Sequence, residues 1–400
     1  MHDASPGEVL RPLIRLRPGA ARRLKAGHPW AFSNEIAMQP ELRTFPPGGL
    51  VRLEGDDGTH FGTCFYNPHS LIATRRLDAN PAARIDATWL GLRTAEAECL
   101  RARFFTTPYY RLVHAEADRL PGLIIDRFGE LAVVQANTAG MERLLPEIAA
   151  ALEAHLPLTG ILARNDAPAR RLEGLAEEVR LLAGRLPDDL IVEEGGVVFP
   201  IDAERGQKTG WFYDQRESRD CIATLAPGAR VLDLFCHSGG FGLRAKAAGA
   251  ERVLLVDSSE PALALAARAA ARNGLAVEFR RADAFAAMAA LAEEGARFDI
   301  VVCDPPPFIP TRKDQAAGLR AYGRMARLAA SLVAPAGFLF VASCSHHAPA
   351  DEFAAAVAAG LARAGREART VRAGSAGPDH PVHPHLPESA YLKTLLLQLF

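Results

Sequence analysis

From about residue 191 the sequence alternates between short apolar runs rich in β-branched residues and longer helical stretches. The runs are VLDLF (231–235), VLLVD (253–257), VEFRRAD (277–283), DIVVCD (299–304) and GFLFVASCS (337–345). Between them the spacing predicts helices from 240, over 259–273, over 284–294 and near 315–333. Apolar strands separated by crossover helices make a parallel sheet covered on both faces, so this half of the chain is expected to be α/β. Ligands of such sheets sit beyond the carboxyl ends of the strands, which makes the residue ending each run the first candidate for chemistry. Two further extended pieces, ARTVRAG and AYLKTLLLQLF, predict an edge hairpin at the end of the chain.

The 400 residues exceed one ordinary hydrophobic core, and the pattern changes twice before the alternation begins. Residues 9–78 hold short extended runs broken by Pro-Gly and Asp-Asp-Gly, which predicts a small β-rich module. Residues 79–190 mix a helix near 86–105, two β-rich runs around a Phe-Gly-Glu turn, a helix over 141–155 and a second helical piece beyond GILARND. DDLIVEEGGVVFPID then reads as a hairpin turning at Gly-Gly. The net charge is −1, so any nucleic-acid surface must be local. One candidate is the first module, where Arg11, Arg15, Arg17, Arg22, Arg23 and Lys25 precede Trp30 and Phe32. Basic groups interleaved with aromatics bind RNA phosphates and bases, and the same pattern describes a solvated arm beside core aromatics. No apolar run reaches the roughly 20 residues of a membrane span and no signal-peptide order is visible, so a cytoplasmic protein without a membrane partner is expected. Six cysteines without a CxxC pair fit reduced thiols, most of them packing as small hydrophobes.

The first run continues as DLFCHSGGFGLRA, with Asp233 near the strand end, then Ser238, Gly239 and Gly240. Glycines there let the backbone approach a ligand at a helix start, although the pattern is not GxGxxG. Asp257 ends the second run, where an acid binds the hydroxyls of a ribose. Asp283 ends the third, where a carboxylate accepts from an adenine amino group. Any one of these acids reads equally well as a helix cap. Together, and without a second fingerprint glycine, they favour an adenosyl ligand lacking pyrophosphate, S-adenosylmethionine rather than NAD. Upstream, RGQKTGWFYDQRESRD places Lys208, Thr209, Asp214, Gln215 and Arg216 in a segment suited to fold over that ligand, though a polar helix start has the same composition.

The fourth run ends in DPPPF. After Asp304, the prolines Pro305, Pro306 and Pro307 fix φ and lack N–H donors, making a stiff wall before Phe308, or a rigid strand exit with no catalysis. The fifth run ends in SCS, bringing Cys344 to the same edge. Carbon 5 of a pyrimidine is too weak a nucleophile to take a methyl group from a sulfonium. Addition of a thiolate at carbon 6 turns the ring into an enamine that can. A free thiol titrates near pH ~8.5, so such a site must lower that value or work with a minority of thiolate. Asp304 is the acid available to contact N3. Cys303 faces the opposite side of the strand and, with Cys236, reads as packing. His380, His383 and His385 lack an acid or cysteine at ligand spacing, so a loop and no metal site is expected.

Taken in order, RLKAGHPWAFSNEI, LPGLIIDRFGELAVVQ, GQKTGWFYDQRESR, VLDLFCHSGGFG, DPPPF, VASCS and DHPVHPHLPESAYLK resemble the RlmI-like large-subunit ribosomal RNA 5-methylcytosine methyltransferases over nearly the whole chain. The resemblance implies an RNA-binding PUA domain over 9–78, a central α+β domain of EEHEE type over 79–190 and a Rossmann-like class I methyltransferase domain over 191–400. It implies S-adenosylmethionine as cofactor, Cys344 as nucleophile and Asp304 as the acid of the substrate motif. Asp257 and Asp283 become the ribose and adenine carboxylates, and Ser238, Gly239 and Gly240 face the methionine part; Asp233 and Gln215 are further donor-site candidates from the residue reading above. With large-subunit ribosomal RNA as the implied partner, the RNA surface is expected to join the basic first module, at Arg22 and Arg23, to the DPPPF edge, at Pro305, Pro306 and Phe308; a homodimer is left open. Two positions depart from the family pattern: Pro307 where lysine is usual, and His346–His347 where Gly-Leu usually follows SCS. Two other readings stay open, methylation of a ring nitrogen or exocyclic amine without a covalent adduct, and a non-catalytic ribosome-assembly factor.

Overall fold

The computed structural model describes residues 11–400; Val9 and Leu10, which open the expected basic module, lie outside the described residues. The chain forms two units. The first runs up to Leu190 and adds Asp202–Trp211 and Pro378–Pro387, while the second holds Ile191–Ile201, Phe212–Gly377 and Glu388–Phe400.

The first unit opens with β1 (Leu13–Arg15), α1 (Arg22–Lys25), β2 (Trp30–Ala31), α2 (Pro40–Arg43), β3 (Gly49–Glu54), β4 (His60–Tyr66) and β5 (Thr74–Asp78). Its strands form a sheet in the order β1-β3-β4-β5-β2, with only β1 and β3 parallel. Alternation decides which side chains enter the core: Val51 and Leu53 of β3 are buried, while Arg52 between them is not. Next come α3 (Ala87–Arg101), β6 (Tyr109–His114), β7 (Leu123–Phe128), β8 (Leu131–Ala136), α4 (Ala139–Arg143), α5 (Leu145–His155), β9 (Gly160–Asn165) and β10 (Glu178–Gly184). These strands order as β10-β9-β8-β7-β6 under a core shared with α3 and α5.

Two expectations for this region need correction. The single helix over 141–155 is two helices, because Pro146 lacks the N–H that would continue the first into the second. The helical piece beyond β9 is a short 3-10 turn, Pro168–Glu173, followed by strand β10. Its Glu, Arg and Leu residues favour a helix in isolation, and the antiparallel pairing with β9 overrides that preference.

The second unit begins with the hairpin β11 (Ile191–Glu194) and β12 (Val197–Pro200), turning at Gly195 and Gly196, both at positive φ. Then follow α6 (Arg216–Leu225), β13 (Arg230–Leu234), α7 (Gly240–Ala247), β14 (Arg252–Asp257), α8 (Glu260–Arg272), β15 (Glu278–Arg281), α9 (Ala284–Glu293) and β16 (Phe298–Cys303). The chain continues through α10 (Gln315–Ala330), β17 (Val333–Ser343), α11 (Ala350–Arg363), β18 (Ala368–Gly374) and β19 (Lys393–Leu399). The sheet order is β15-β14-β13-β16-β17-β19-β18, parallel from β15 to β17 and antiparallel in the closing pair. This is the expected Rossmann-like α/β fold, with its order reversing between β13 and β16. The third run is shorter than its sequence suggests: β15 stops at Arg281, and Asp283 caps α9 by accepting from Ala286 N at 3.0 Å.

The segments 202–211 and 378–387 lie in the range expected for the methyltransferase domain, yet they fold within the first unit. Polar bonds hold them there. Thr209, read from the sequence as part of a flap over the ligand, is fully buried and donates to Asp126 Oδ2 at 2.5 Å. Asp126 also accepts two bonds from Arg111, at 2.8 and 2.9 Å. Asp379 accepts from Arg111 N at 3.2 Å, and its carbonyl accepts from the buried Arg101 at 3.1 Å. No helix among the described residues is long and apolar enough to cross a membrane. Asp126→Ala should leave the Arg111 guanidinium buried without its counter-ion and destabilise the first unit by about 3–5 kcal/mol, read as a lower denaturation midpoint in urea.

Candidate active site

The reversal of strand order puts β13 and β16 side by side, with Asp233 opposite Val302 and Leu234 opposite Cys303. Asp233 and Asp304 therefore flank one crevice at the carboxyl edge of the sheet. Asp233 is 1% exposed; its Oδ2 accepts from Gly242 N at 2.8 Å, and its Oδ1 has no hydrogen-bond partner among the described residues. Burial, with the like charges of Asp304 and Asp257, pushes the Asp233 carboxyl up to about 8. Gly242 is a site residue the sequence reading missed: a Cβ there would lie 2.2 Å from Leu255 and 3.2 Å from Asp233 Oδ2, so only glycine lets α7 seat its N–H on the acid.

The loop from β13 to α7 is bent by positive φ at Phe235 (59°), His237 (48°) and Gly239 (81°). Asp257, at the tip of β14, holds that loop. Its Oδ2 accepts from His237 N and its Oδ1 from Ser259 N, both at 2.8 Å. Ser238 is buried with its hydroxyl 3.1 Å from His237 Nδ1, and Gly240 begins α7. Asp283 is exposed and engaged as the cap of α9, so the carboxylate expected at a strand tip sits at a helix start.

Gln215 precedes α6, is buried, and donates to Asp304 Oδ1 at 2.9 Å, while its Oε1 has no partner among the described residues. The segment holding it is fixed from below by a buried ion network. Arg219 of α6 makes two bonds to Glu194 of β11, at 2.5 and 2.7 Å, and donates to Phe212 O at 2.9 Å. Arg244 adds a third bond to Glu194, at 3.2 Å. Burial alone would raise the Glu194 carboxyl, but Arg219, Arg216 and Arg244 outweigh it and hold the group below its ordinary range. Nothing local in EEGGVV marks this glutamate; its role appears only when the hairpin folds against α6 and α7.

After β16, Pro305 is buried whereas Pro306 and Pro307 are exposed. Phe308 is half-buried against Tyr322, at 4.8 Å between ring centroids, and against Phe285, at 6.1 Å. The wall expected from DPPPF is thus partly core on its inner side. Cys303 is fully buried and burial raises its thiol; Cys236 is buried with its thiol raised in the same way. All six cysteines are free thiols, and Cys344 is half-buried.

The residues flanking Cys344 are both bonded to Tyr322. Ser343 donates to the Tyr322 hydroxyl at 2.8 Å, the same hydroxyl lies 2.9 Å from Ser345 Oγ, and Ile309 N donates to Ser345 Oγ at 3.2 Å. Both serines are buried, whereas Cys344 between them, just past the end of β17, is half-buried. Lys393 of β19, passed over in the sequence, donates to Ser345 O at 2.7 Å.

In the first unit, Arg22 is exposed. Arg23 is committed within its own module: it bonds both oxygens of Glu35 at 2.8 Å, with its guanidinium 4.4 Å from the centre of the Phe32 ring. Trp30 is also engaged, donating to Glu116 at 2.9 Å under the guanidinium of Arg75. Of the expected basic and aromatic pattern, these three side chains serve packing.

A PUA-like domain is matched over residues 14–79 and an S-adenosylmethionine-dependent methyltransferase over residues 134–398. Ribosomal RNA large subunit methyltransferase I of Shewanella denitrificans is 34% identical, with 96% of this chain and 98% of that protein covered. The protein of the same name from Shewanella amazonensis is 35% identical with the same coverage. Among solved structures, a chain from Streptococcus mutans named as a SAM-dependent methyltransferase has a TM-score of 0.80 at 20% identity, covering 97% of this chain and 100% of that one. A structure named as a methyltransferase complexed with SAH has a TM-score of 0.81 at 19% identity, covering 97% and 99%. At those identities the structural likeness speaks for the fold. The crevice between β13 and β16, the domain matches and the full-length relatives together identify the chain as a member of the S-adenosylmethionine-dependent methyltransferase family that includes ribosomal RNA large subunit methyltransferase I and begins with a PUA-like domain.

Proposed function

We propose that this protein methylates carbon 5 of a cytosine in large-subunit ribosomal RNA, in the cytoplasm, through a covalent adduct on Cys344. The observation that carries this reading is the place of Cys344, half-buried between two buried serines at the sheet edge that also ends in Asp233, Asp257 and Asp304. We further assign residues 9–78 to RNA binding, 79–190 to the central domain and 191–400 to methyl transfer.

The crevice suits a cationic donor. Asp233 Oδ1 and Gln215 Oε1 are buried acceptors that need a donor from outside the described residues, and a methionine ammonium supplies one. Asp257 would hold the ribose, Asp283 the adenine, and the bent loop at Ser238–Gly240 the methionine part. When bound, S-adenosylmethionine supplies an electrophilic methyl group on a sulfonium. The chain's own residues do the rest. The Cys344 thiolate bonds carbon 6 of the cytosine, the pair of the C5–C6 double bond moves to carbon 5, and that carbon takes the methyl group. Asp304, carrying a proton, passes it to N3 and so neutralises the negative charge that collects on the ring; N3 returns that proton when the thiolate leaves. A base or water then removes the proton from carbon 5, the double bond re-forms, and the C6–S bond breaks to release the thiolate. Pro306 and Phe308 would flank the base, Pro305 supporting them from the buried side.

Cys344→Ala should bind S-adenosylmethionine with unchanged affinity and lose methyl transfer to undermethylated ribosomal RNA by at least about 10³-fold, and it should form no adduct with RNA carrying 5-fluorocytosine. Full activity in that variant would instead support transfer to a nitrogen.

Asp233 gives a pH signature. Its folded pKa of about 8 stands above the ordinary carboxylate value, so it holds a proton that the unfolded chain lacks over that window, and its contribution to stability falls as pH rises through it. A cation in the crevice favours the carboxylate. Donor binding should therefore release a proton and be roughly tenfold weaker at pH 7 than at pH 9, as calorimetry in buffers of different ionisation enthalpy would measure; Asp233→Asn should flatten the dependence. For RNA, Arg22→Glu should weaken binding and reduce its salt slope by about 1, whereas Arg23→Glu would first break the ion pair with Glu35.

A further inference from the structure

Lys393 opens β19 and pairs with Ser343 in the antiparallel ladder, which sets its backbone opposite the residue before Cys344. Its Nζ donates to Ser345 O at 2.7 Å, the residue after Cys344. The half-buried lysine therefore spans the turn that carries the thiol. We propose that Lys393 is a positioning residue that keeps Cys344 in its thiolate form and fixes the turn presenting it, so that the nucleophile is ready before RNA arrives. The inference rests on the reading of Cys344 as nucleophile.

The other groups around the turn do not supply that positive charge. Tyr322 reaches it from α10 through Ser343 and Ser345; burial raises its phenol, which stays neutral at pH 7. His346 follows on the turn itself and is exposed; partial desolvation still lowers its imidazole below the ordinary value, so it too is neutral above pH 7. Its ring lies 5.4 Å from that of Tyr391, whose hydroxyl donates to Asp214 Oδ2 at 2.5 Å, so the acid on that side is turned to a phenol. His347 is exposed one residue further on. Burial lowers the Lys393 ammonium while Cys344 acts on it in the opposite direction, as two groups do that ionise as a pair. An opposite charge at the thiol favours its anion, and each pKa unit gained is a tenfold larger thiolate fraction near neutral pH.

The test is the pH dependence of Cys344 alkylation by iodoacetamide in the full-length protein, followed on the peptide containing Cys344 by mass spectrometry. In the unmodified chain the midpoint should fall at least about one unit below the ~8.5 of a free thiol. Lys393→Met should raise it by one unit or more, lowering the alkylation rate at pH 7 about tenfold and turnover with it, and Lys393→Arg should restore both. Donor affinity and melting temperature, measured alongside, separate loss of charge from loss of fold. A wild-type midpoint at or above 8.5 overturns the inference whether or not the methionine variant folds, as does an unchanged profile in that variant. The nucleophile reading fails separately, if Cys344→Ala retains turnover while the alkylation shift persists.

Discussion

Two strands that are distant in sequence, β13 and β16, become neighbours where the order of the parallel sheet reverses, and everything proposed for this protein's chemistry depends on that adjacency. Helices must cover both faces of the sheet, so the chain leaves β13 on one side and returns beside it only after two further crossovers. The gap between the departing loops brings two carboxylates close to one small volume. Asp233 then faces a problem it cannot solve alone. It is desolvated, it is repelled by Asp304 and Asp257, and only Gly242 N supports one of its oxygens. The cationic donor proposed above would relieve that condition.

The rest of the second unit reads as support for this crevice. Glu194 reaches from a hairpin outside the sheet to fix α6 through Arg219, and α6 carries Gln215 at its start, against Asp304. The hairpin is itself tied down by Asn273, which accepts from Val198 N at 2.9 Å and donates to Val198 O at 2.7 Å. On the far side, Tyr322 anchors the two buried serines on either side of the half-buried Cys344. Buried polar groups are used here to aim side chains more than to add stability, since each ion removed from water forfeits much of what its pairing returns.

Much of this was legible in the amino-acid order. The alternation after residue 191 carried the parallel sheet, because strands buried on two faces and helices buried on one have different periods. Where the reading failed, local propensity lost to pairing. The helical piece beyond GILARND is only a short 3-10 turn before the edge strand β10; the helix over 141–155 is broken at Leu144, just ahead of Pro146; the third run gives its last acid to a helix cap. The basic arm was half legible. Its composition allowed an RNA face or a packed arm, and Arg23 and Trp30 serve the second while Arg22 remains exposed.

The sequence by itself determined the architecture and the strand tips from which the proposed site residues were drawn, since period and spacing are local properties of the chain. Tertiary structure alone decided the burial that raises the Asp233 carboxyl, the service of Glu194 to α6, and the position of Lys393 across the turn of Cys344. Those depend on burial and on contacts between residues tens of positions apart, and neither desolvation nor a long-range hydrogen bond leaves a mark on the neighbouring letters.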